Sequence, residues 1–449
     1  MKNQEYYGDE TKKAINNFGE GRIPSGLIKS YAEVKKASIK AIWEYEKRFT
    51  FETYEIILEA LDEIISGVHN DQFVVPLFQG GAGTSINMNM NEVIANLSTA
   101  KYFEKYQTKI KIDPIEDINR FQSTNDTFPT AATILVLRNL NEIEKNVIDL
   151  QETLIKKENE YENILLTGRT EMQDALPITL GQVFGSWAGM IARDRWRINK
   201  LKERVRNIAL GGTAIGTSFF APREYIFLAE KNLRNITGLS LARSQNFPDE
   251  VANLDKYSEV ANGISLIAEN LFKITGDLLL YTSSFINEIK HPNLQYGSTI
   301  MAAKTNPVVL EFVRGLSIDI QFECKKINFY AQNGQLQLNV YLPFVVNCFE
   351  NIFRNIKKTI EIFITKFINN IEINTSSIEN NLINSKAILN SLIALVGYNE
   401  VKKIYAVLEK RKIKNFEELK EIIALELKLE KNQIDDFFQP ISLTTSLKL

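Results

Sequence analysis

Apolar residues recur at three- to four-residue steps along this chain, over stretches far longer than an ordinary helix, and this limits its fold more than any other feature. Ile134, Leu137, Leu140, Val147, Leu150 and Leu154 form one such series. Phe349, Ile352, Phe353, Ile356, Ile360, Phe363, Ile364, Phe367 and Ile371 form another, more than twenty residues long. A helix of about 3.6 residues per turn stacks such residues on one face. Helices this long and apolar are stable only when packed together, so the spacing predicts a bundle, one that can be shared between subunits. Alternating strand-like runs are few, and the expected class is all-α.

Composition narrows the function. The 53 basic and 55 acidic side chains leave a net charge of -2, with no general pull toward nucleic acid or an anionic membrane. The longest uncharged run, Ala175 to Ala192, contains Pro177, Thr179, Gln182 and Ser186. It reads as a buried helix packed closely through Gly181, Gly185 and Gly189, not as a membrane span. The first residues contain no apolar core of a signal peptide. Cys324 and Cys348 offer neither a disulfide framework nor a four-thiolate metal site, and they fit a reducing cytosol. With only His69 and His291, a histidine-rich metal site is excluded, and a Ser-His-Asp triad would have to use one of those two.

Helix breaks suggest the boundaries. Pro129 suits a helix start, because its ring fixes φ and it has no N–H to donate. Gln295 to Thr299 is a polar, flexible interruption, and a second polar stretch follows Ile371. The expected division is 1–129, an N-terminal helical domain; 130–374, a central long-helix bundle; and 375–449, a small C-terminal helical domain whose charge runs are solvated helix faces.

Five polar patches rich in small residues interrupt the periodicity. Gln79 to Asn89 has glycines that would let backbone N–H groups approach an anion, but no P-loop lysine follows them; an ordinary turn fits equally. Gln122-Ser123-Thr124-Asn125-Asp126 could cap a helix or bind a carboxylate at its N-terminus. Thr167 to Ala175 reads as a polar turn entering a helix. Leu210 to Thr217 is glycine-rich and also lacks the lysine. Gly297 to Pro307 places Gly-Ser-Thr before Lys304 and Asn306, as would a loop closing over an anionic substrate or a simple helix entry.

Taken together, the patches resemble the aspartase/fumarase superfamily, and within it the aspartase branch. The resemblance starts at Tyr6-Tyr7-Gly8 with Thr11 and Asn17-Phe18, and runs through QGGAGTSINMNMNEVIAN (79–96), QSTNDTFPT (122–130), TGRTEMQDALPITLGQ (167–182), LGGTAIGT (210–217), GSTIMAAKTNP (297–307) and GQLQLNV (334–340). It implies a three-domain all-α fold with a long central bundle, assembled into a cytoplasmic homotetramer with a 20-helix core. Each active site would combine patches from three subunits.

The implied reaction is reversible anti-elimination of ammonia from L-aspartate to give fumarate, through a carbanion whose charge spreads into the β-carboxylate as an aci-carboxylate. The resemblance makes Ser298 the base, supported by backbone N–H groups near Ile300 and Met301. Thr84, Ser123, Thr124 and Thr299 would hold the β-carboxylate. Lys304, Asn306 and Thr170 would hold the α-carboxylate, and Asn125 would face the amino group. No metal or organic cofactor is implied.

The chain departs from the family at Glu171, where fumarases carry His and aspartases His or Gln. It also has Glu116-Asp117-Ile118-Asn119 for Asp-His-Val-Asn, Thr299 for Ser, Ala302 for Pro and Thr305 for Val. A carboxylate at position 171 favours an ammonium group over a hydroxyl, unless it turns away onto a cation such as Arg169. Two other readings remain open: a related lyase acting on a substituted aspartate or another fumarate-releasing substrate, and a weakly active scaffold paralogue.

Overall fold

The computed structural model describes residues 4–445, apart from 386 and 412. The expected all-α class is observed, with three small two-stranded sheets among the described residues. Two compact units emerge. One comprises the chain up to Glu144 with Trp196–Leu266 and Asp319–Ile356; the other comprises Lys145–Arg195, Ile267–Ile318 and the chain from Lys357.

Five long helices carry the chain between these sets of segments: Thr124–Glu160, Leu180–Val205, Asp255–Tyr281, Val308–Ala331 and Leu342–Ile362. The first periodic series lies on Thr124–Glu160, where Ile134, Leu140, Val147, Leu150 and Leu154 are all fully buried. The second follows Leu342–Ile362 and ends in a widened π-helical turn, Phe363–Phe367, and a tighter 3-10 turn, Ile368–Asn370, next to the polar break expected there.

Pro129 does not start its helix. Thr124–Glu160 begins five residues earlier, with Pro129 inside it. Ser123 and Asp126 form a reciprocal cap: Ser123 Oγ accepts from Asn125 N (3.2 Å), and Asp126 Oδ1 accepts from Ser123 N (2.9 Å). This satisfies N–H groups that a helix start leaves open, so the cap and not the proline fixes the boundary.

In the first unit, helix Ser25–Glu46 packs on Arg223–Thr237 and on Phe51–Ser66, which in turn packs on Thr84–Tyr106. Helix Asp9–Phe18 is capped from a distance: the Glu92 carboxylate accepts from the N–H groups of Gly8, Glu10 and Thr11 and from Thr11 Oγ1. The Tyr-Tyr-Gly and Thr11 signature thus has a structural job, because a carboxylate stabilises the positive end of the helix.

In the second unit, Ala175 to Thr179 is strand, not helix; Gln173–Thr179 pairs antiparallel with Leu165–Thr170. Helix Leu180–Val205 follows. A Cβ on Gly181 would lie 2.5 Å from the Glu158 carbonyl oxygen, and one on Gly185 would meet the Glu158 side chain. Gly189 has no such neighbour, so two of the three glycines mark close approaches. Toward the C-terminus, Ile388, Leu389, Leu392, Leu408, Leu419 and Ile423 form a separate apolar cluster. Among the described residues, no helix is long and apolar enough to cross a membrane.

Candidate active site

Three of the five patches meet in the first unit. Thr84, Asn87, Ser123, Thr124, Asn125 and Thr213 line a cavity of about 590 Å³, together with Ile115, Phe219 and Phe220. Helices Thr84–Tyr106 and Thr124–Glu160 both begin at this cavity, and their N-termini favour an anion.

The hydroxyl protons of the wall can be assigned from their partners. Thr124 Oγ1 accepts from Asn87 Nδ2 (3.1 Å) and Ser123 Oγ accepts from Asn125 N, so each keeps its own proton for another acceptor. Thr84 differs, because its Oγ1 donates to the Gly81 carbonyl at 2.7 Å. Asn125 Nδ2 donates to the Ala214 carbonyl (2.8 Å), which leaves Oδ1 as an acceptor.

Asp126 is fully buried beneath this wall. Besides the Ser123 bond, its Oδ2 accepts from Gly211 N (3.1 Å) and Thr213 N (3.0 Å), joining two patches 85 residues apart. Burial raises its pKa to about 6, outweighing the three N–H groups that favour the anion. Lys35 is equally buried and donates to Asn119 Oδ1 (2.9 Å) and Gln122 Oε1 (3.0 Å).

The other two patches belong to the second unit. Thr167 to Ala175 is the tip of the Leu165–Thr170 and Gln173–Thr179 hairpin, not a turn into a helix. Glu171 and Met172 form its turn with φ of 53° and 63°. Two consecutive left-handed residues match the twist of a tight hairpin, although neither is glycine. Arg169 makes a two-pronged ion pair with the buried Glu288 (2.7 and 3.0 Å) and approaches Asp174 at 3.4 Å. Glu171 is exposed and has no ion-pair or hydrogen-bond partner among the described residues. It lines a cavity of about 870 Å³ with Arg169, Trp187, Lys273, Asp277 and Tyr281.

In the 297–307 loop, Ser298 Oγ accepts from the N–H groups of Ile300 (3.2 Å) and Met301 (3.0 Å). Two backbone bonds, Gly297 N to Lys304 O (3.1 Å) and Lys304 N to Met301 O (3.1 Å), draw the loop together, and Asn306 Nδ2 donates to the Gly297 carbonyl (2.9 Å). Thr299 and Lys304 are exposed, and the Lys304 ammonium has no partner among the described residues.

The structure thus groups Thr84, Ser123, Thr124 and Asn125 in one cavity, Thr170 and Glu171 at one hairpin tip, and Ser298, Thr299, Ile300, Met301, Lys304 and Asn306 in one loop. Neither histidine lines the first-unit cavity. His69 meets Glu63 (2.9 Å), and His291 Nδ1 donates to the Pro292 carbonyl (3.2 Å). Among the described residues, no group of three His, Cys, Asp or Glu side chains is placed to hold a metal ion. Sequence reasoning passed over Lys35, Asn87 and Asn119. For Lys35 a signal existed: it lies four residues from Tyr31 and from Ile39, both fully buried, on the inward face of its helix.

A family model described simply as lyase matches residues 2–321. The aspartate ammonia-lyase of Helicobacter pylori is 35% identical over 97% of this chain and 93% of that protein. The class II fumarate hydratase of Bacillus subtilis is 32% identical over 89% of this chain and 87% of that protein. Among solved structures, the fumarate lyase:delta crystallin of Brucella melitensis superposes with a TM-score of 0.90 at 31% identity, covering 99% of this chain and 97% of that one. The chain therefore belongs to the aspartase/fumarase superfamily of lyases. It is an enzyme of that superfamily, with aspartate ammonia-lyases and fumarases both among its relatives.

Proposed function

We propose that this enzyme is an aspartate ammonia-lyase, converting L-aspartate reversibly to fumarate and ammonia. The observation that carries the reading is the Ser298 hydroxyl, which receives two converging N–H groups in a loop that also bears the unpaired Lys304. Those donors stabilise a serine alkoxide, which takes the C3 proton of the substrate. The electron pair moves into the β-carboxylate, held by Ser123, Thr124 and Thr299, with Thr84 joining them once its hydroxyl leaves the Gly81 carbonyl, and then forms the C2–C3 double bond as the C–N bond breaks. The free hydroxyl protons of Ser123 and Thr124 support that donor role. Lys304, Asn306 and Thr170 hold the α-carboxylate.

The choice of an amino over a hydroxyl leaving group rests on two acceptors, Asn125 Oδ1 and the Glu171 carboxylate. Arg169 is engaged with Glu288, so it does not draw Glu171 away. One unit charge pair at about 4 Å is worth roughly 4 kcal/mol at an effective dielectric near 20, before desolvation. That is enough to separate ammonium from hydroxyl.

The functional unit is a cytoplasmic homotetramer with sites drawn from three subunits. Large apolar side chains exposed on the long helices (Trp196, Leu266, Phe322 and Phe329) support burial by further copies, and five long helices in each of four chains would make a 20-helix core. Purified enzyme mixed separately with L-aspartate, L-malate, argininosuccinate and adenylosuccinate should release fumarate, read by its ultraviolet absorbance, from L-aspartate alone. Fumarate from L-malate would favour the hydratase reading, and fumarate from either succinyl compound a substituted aspartate.

A further inference from the structure

Lys35 is a lysine without a counter-ion. Its side chain is fully buried, and among the described residues no carboxylate lies within ion-pair distance of it. Two N–H groups go to the amide oxygens of Asn119 and Gln122, and the ammonium stands 5.6 Å from the Tyr31 ring centroid. Asp126, the buried carboxylate that acts on it electrostatically, is engaged with three backbone N–H groups.

The bonds continue from Lys35 to the cavity wall. Asn119 Oδ1 accepts from Lys35, from Asn87 Nδ2 (3.1 Å) and from Asn91 Nδ2 (3.3 Å). Asn87 Nδ2 also donates to Thr124 Oγ1, so the Thr124 proton is left for the cavity. Gln122, the second acceptor of Lys35, immediately precedes Ser123. We propose that Lys35 is a positioning residue of this site: through Asn119 and Gln122 it orients Thr124 and Ser123 as donors, and a bound substrate carboxylate supplies the negative charge it lacks. The proposal rests on reading this cavity as the carboxylate site.

The charge of Lys35 makes the idea testable by pH. Loss of hydration lowers its pKa to about 7, with Asp126 pulling in the opposite direction. The other ionisable groups near it are Tyr31, Tyr225, Asp126, Asp117, Arg120, Glu116 and Glu92. Tyr31 on its own helix and Tyr225 on Arg223–Thr237 are pushed upward by burial. Asp126 titrates near 6. In the 114–122 segment, Asp117 is paired with Arg48 and Arg120 with Glu46, while Glu116 is exposed. On Thr84–Tyr106, Glu92 is held by backbone N–H groups. The sign follows. Below about pH 7 the empty enzyme already carries the proton on Lys35; above it, a dicarboxylate must bind together with a proton. Affinity then falls as pH rises through 7, by up to about tenfold per unit.

Succinate is the probe, because it cannot eliminate, has no amino group and stays doubly ionised from pH 7 to 9. Its competitive inhibition constant against L-aspartate should rise about tenfold between pH 7 and pH 8.5 in the wild-type enzyme. In Lys35→Arg, whose guanidinium does not titrate, that rise should vanish. In Lys35→Met the constant should be at least about tenfold higher already at pH 6.5. Either variant could fail to fold, so wild-type calorimetry in two buffers of different ionisation heat provides an independent reading: proton uptake on succinate binding should grow from pH 7 to pH 8. A wild-type enzyme that deaminates aspartate and binds succinate without that uptake would overturn the role of Lys35. An enzyme that does neither would overturn the carboxylate-site reading instead.

Discussion

Ser123 and Ser298 make the same local bond in different surroundings. Each Oγ accepts the N–H of the residue two positions on, at 3.2 Å in both cases, and Ser298 adds the N–H of Met301. Ser123 sits on a buried foundation: its own N–H is fixed by Asp126, which is anchored to Gly211 and Thr213. Ser298 sits in a loop whose residues 299–305 are exposed and which a few short-range bonds hold together. A shared hydrogen-bond pattern therefore does not imply a shared task. The braced hydroxyl suits a donor that must not move, whereas the loop hydroxyl suits a base brought to its substrate by closure.

The largest test of that contrast is rate. Ser298→Ala should lower kcat by about 10⁴-fold or more, with circular dichroism and assembly unchanged, since removing a base stops proton transfer while an exposed loop contributes little to the core. Ser123→Ala should cost only about 10²-fold, because one donor among several is lost. Equal losses in the two variants would erase the distinction.

Stability should separate the regions in the opposite sense. Asp126→Asn turns an amide N–H₂ toward N–H donors in a buried site, and roughly 2–4 kcal/mol of unfolding free energy should disappear in urea titration. Alterations confined to 299–305 should leave the urea midpoint in place.

Smaller effects are expected at the substrate's edge. Lys304→Ala should raise the KM for aspartate by up to about 10²-fold, the scale of one charge-assisted contact. An unchanged KM would mean that the α-carboxylate is held elsewhere. Glu171→Gln should weaken aspartate kcat/KM by no more than about tenfold, since a glutamine still accepts from an ammonium. Identical kinetics in this variant would mean that Glu171 does not face the amino group.

The architecture was legible where helical period was strong. The Ile134 to Leu154 series and the Phe349 to Phe367 series lie on the long helices as expected. Pro129 misled because a cap signal, Ser123 with Asp126, competed with it and won. The 167–175 hairpin was missed because its strands are short and Leu166 and Thr167 are buried in succession, so no clean alternation marks it. Residues 122–125, which line the first-unit cavity, could be picked out as a polar cluster, but most of their support could not. Asn87 and Asn119 are scattered among many asparagines, and Lys35 was marked only by its four-residue spacing from the apolar Tyr31 and Ile39, which says that it faces inward but not what it meets there. The two N–H groups on Ser298 lie within three residues of it, which is why a local reading could anticipate Ile300 and Met301.

The tip of the Leu165–Thr170 and Gln173–Thr179 hairpin has an evolutionary consequence. Its backbone is fixed by strand pairing and by Arg169 on Glu288, while the Glu171 side chain bonds to nothing among the described residues. Exchanging that side chain for another that tolerates the turn leaves the scaffold's own contacts intact. Histidine and glutamine codons differ by a single base, as do glutamine and glutamate codons. The series from His through Gln to Glu can therefore be walked one point mutation at a time, each step changing the charge and hydrogen-bonding character of the tip and little of what holds the protein together. The charge at this tip is therefore open to change in a lineage without compensating changes in its core.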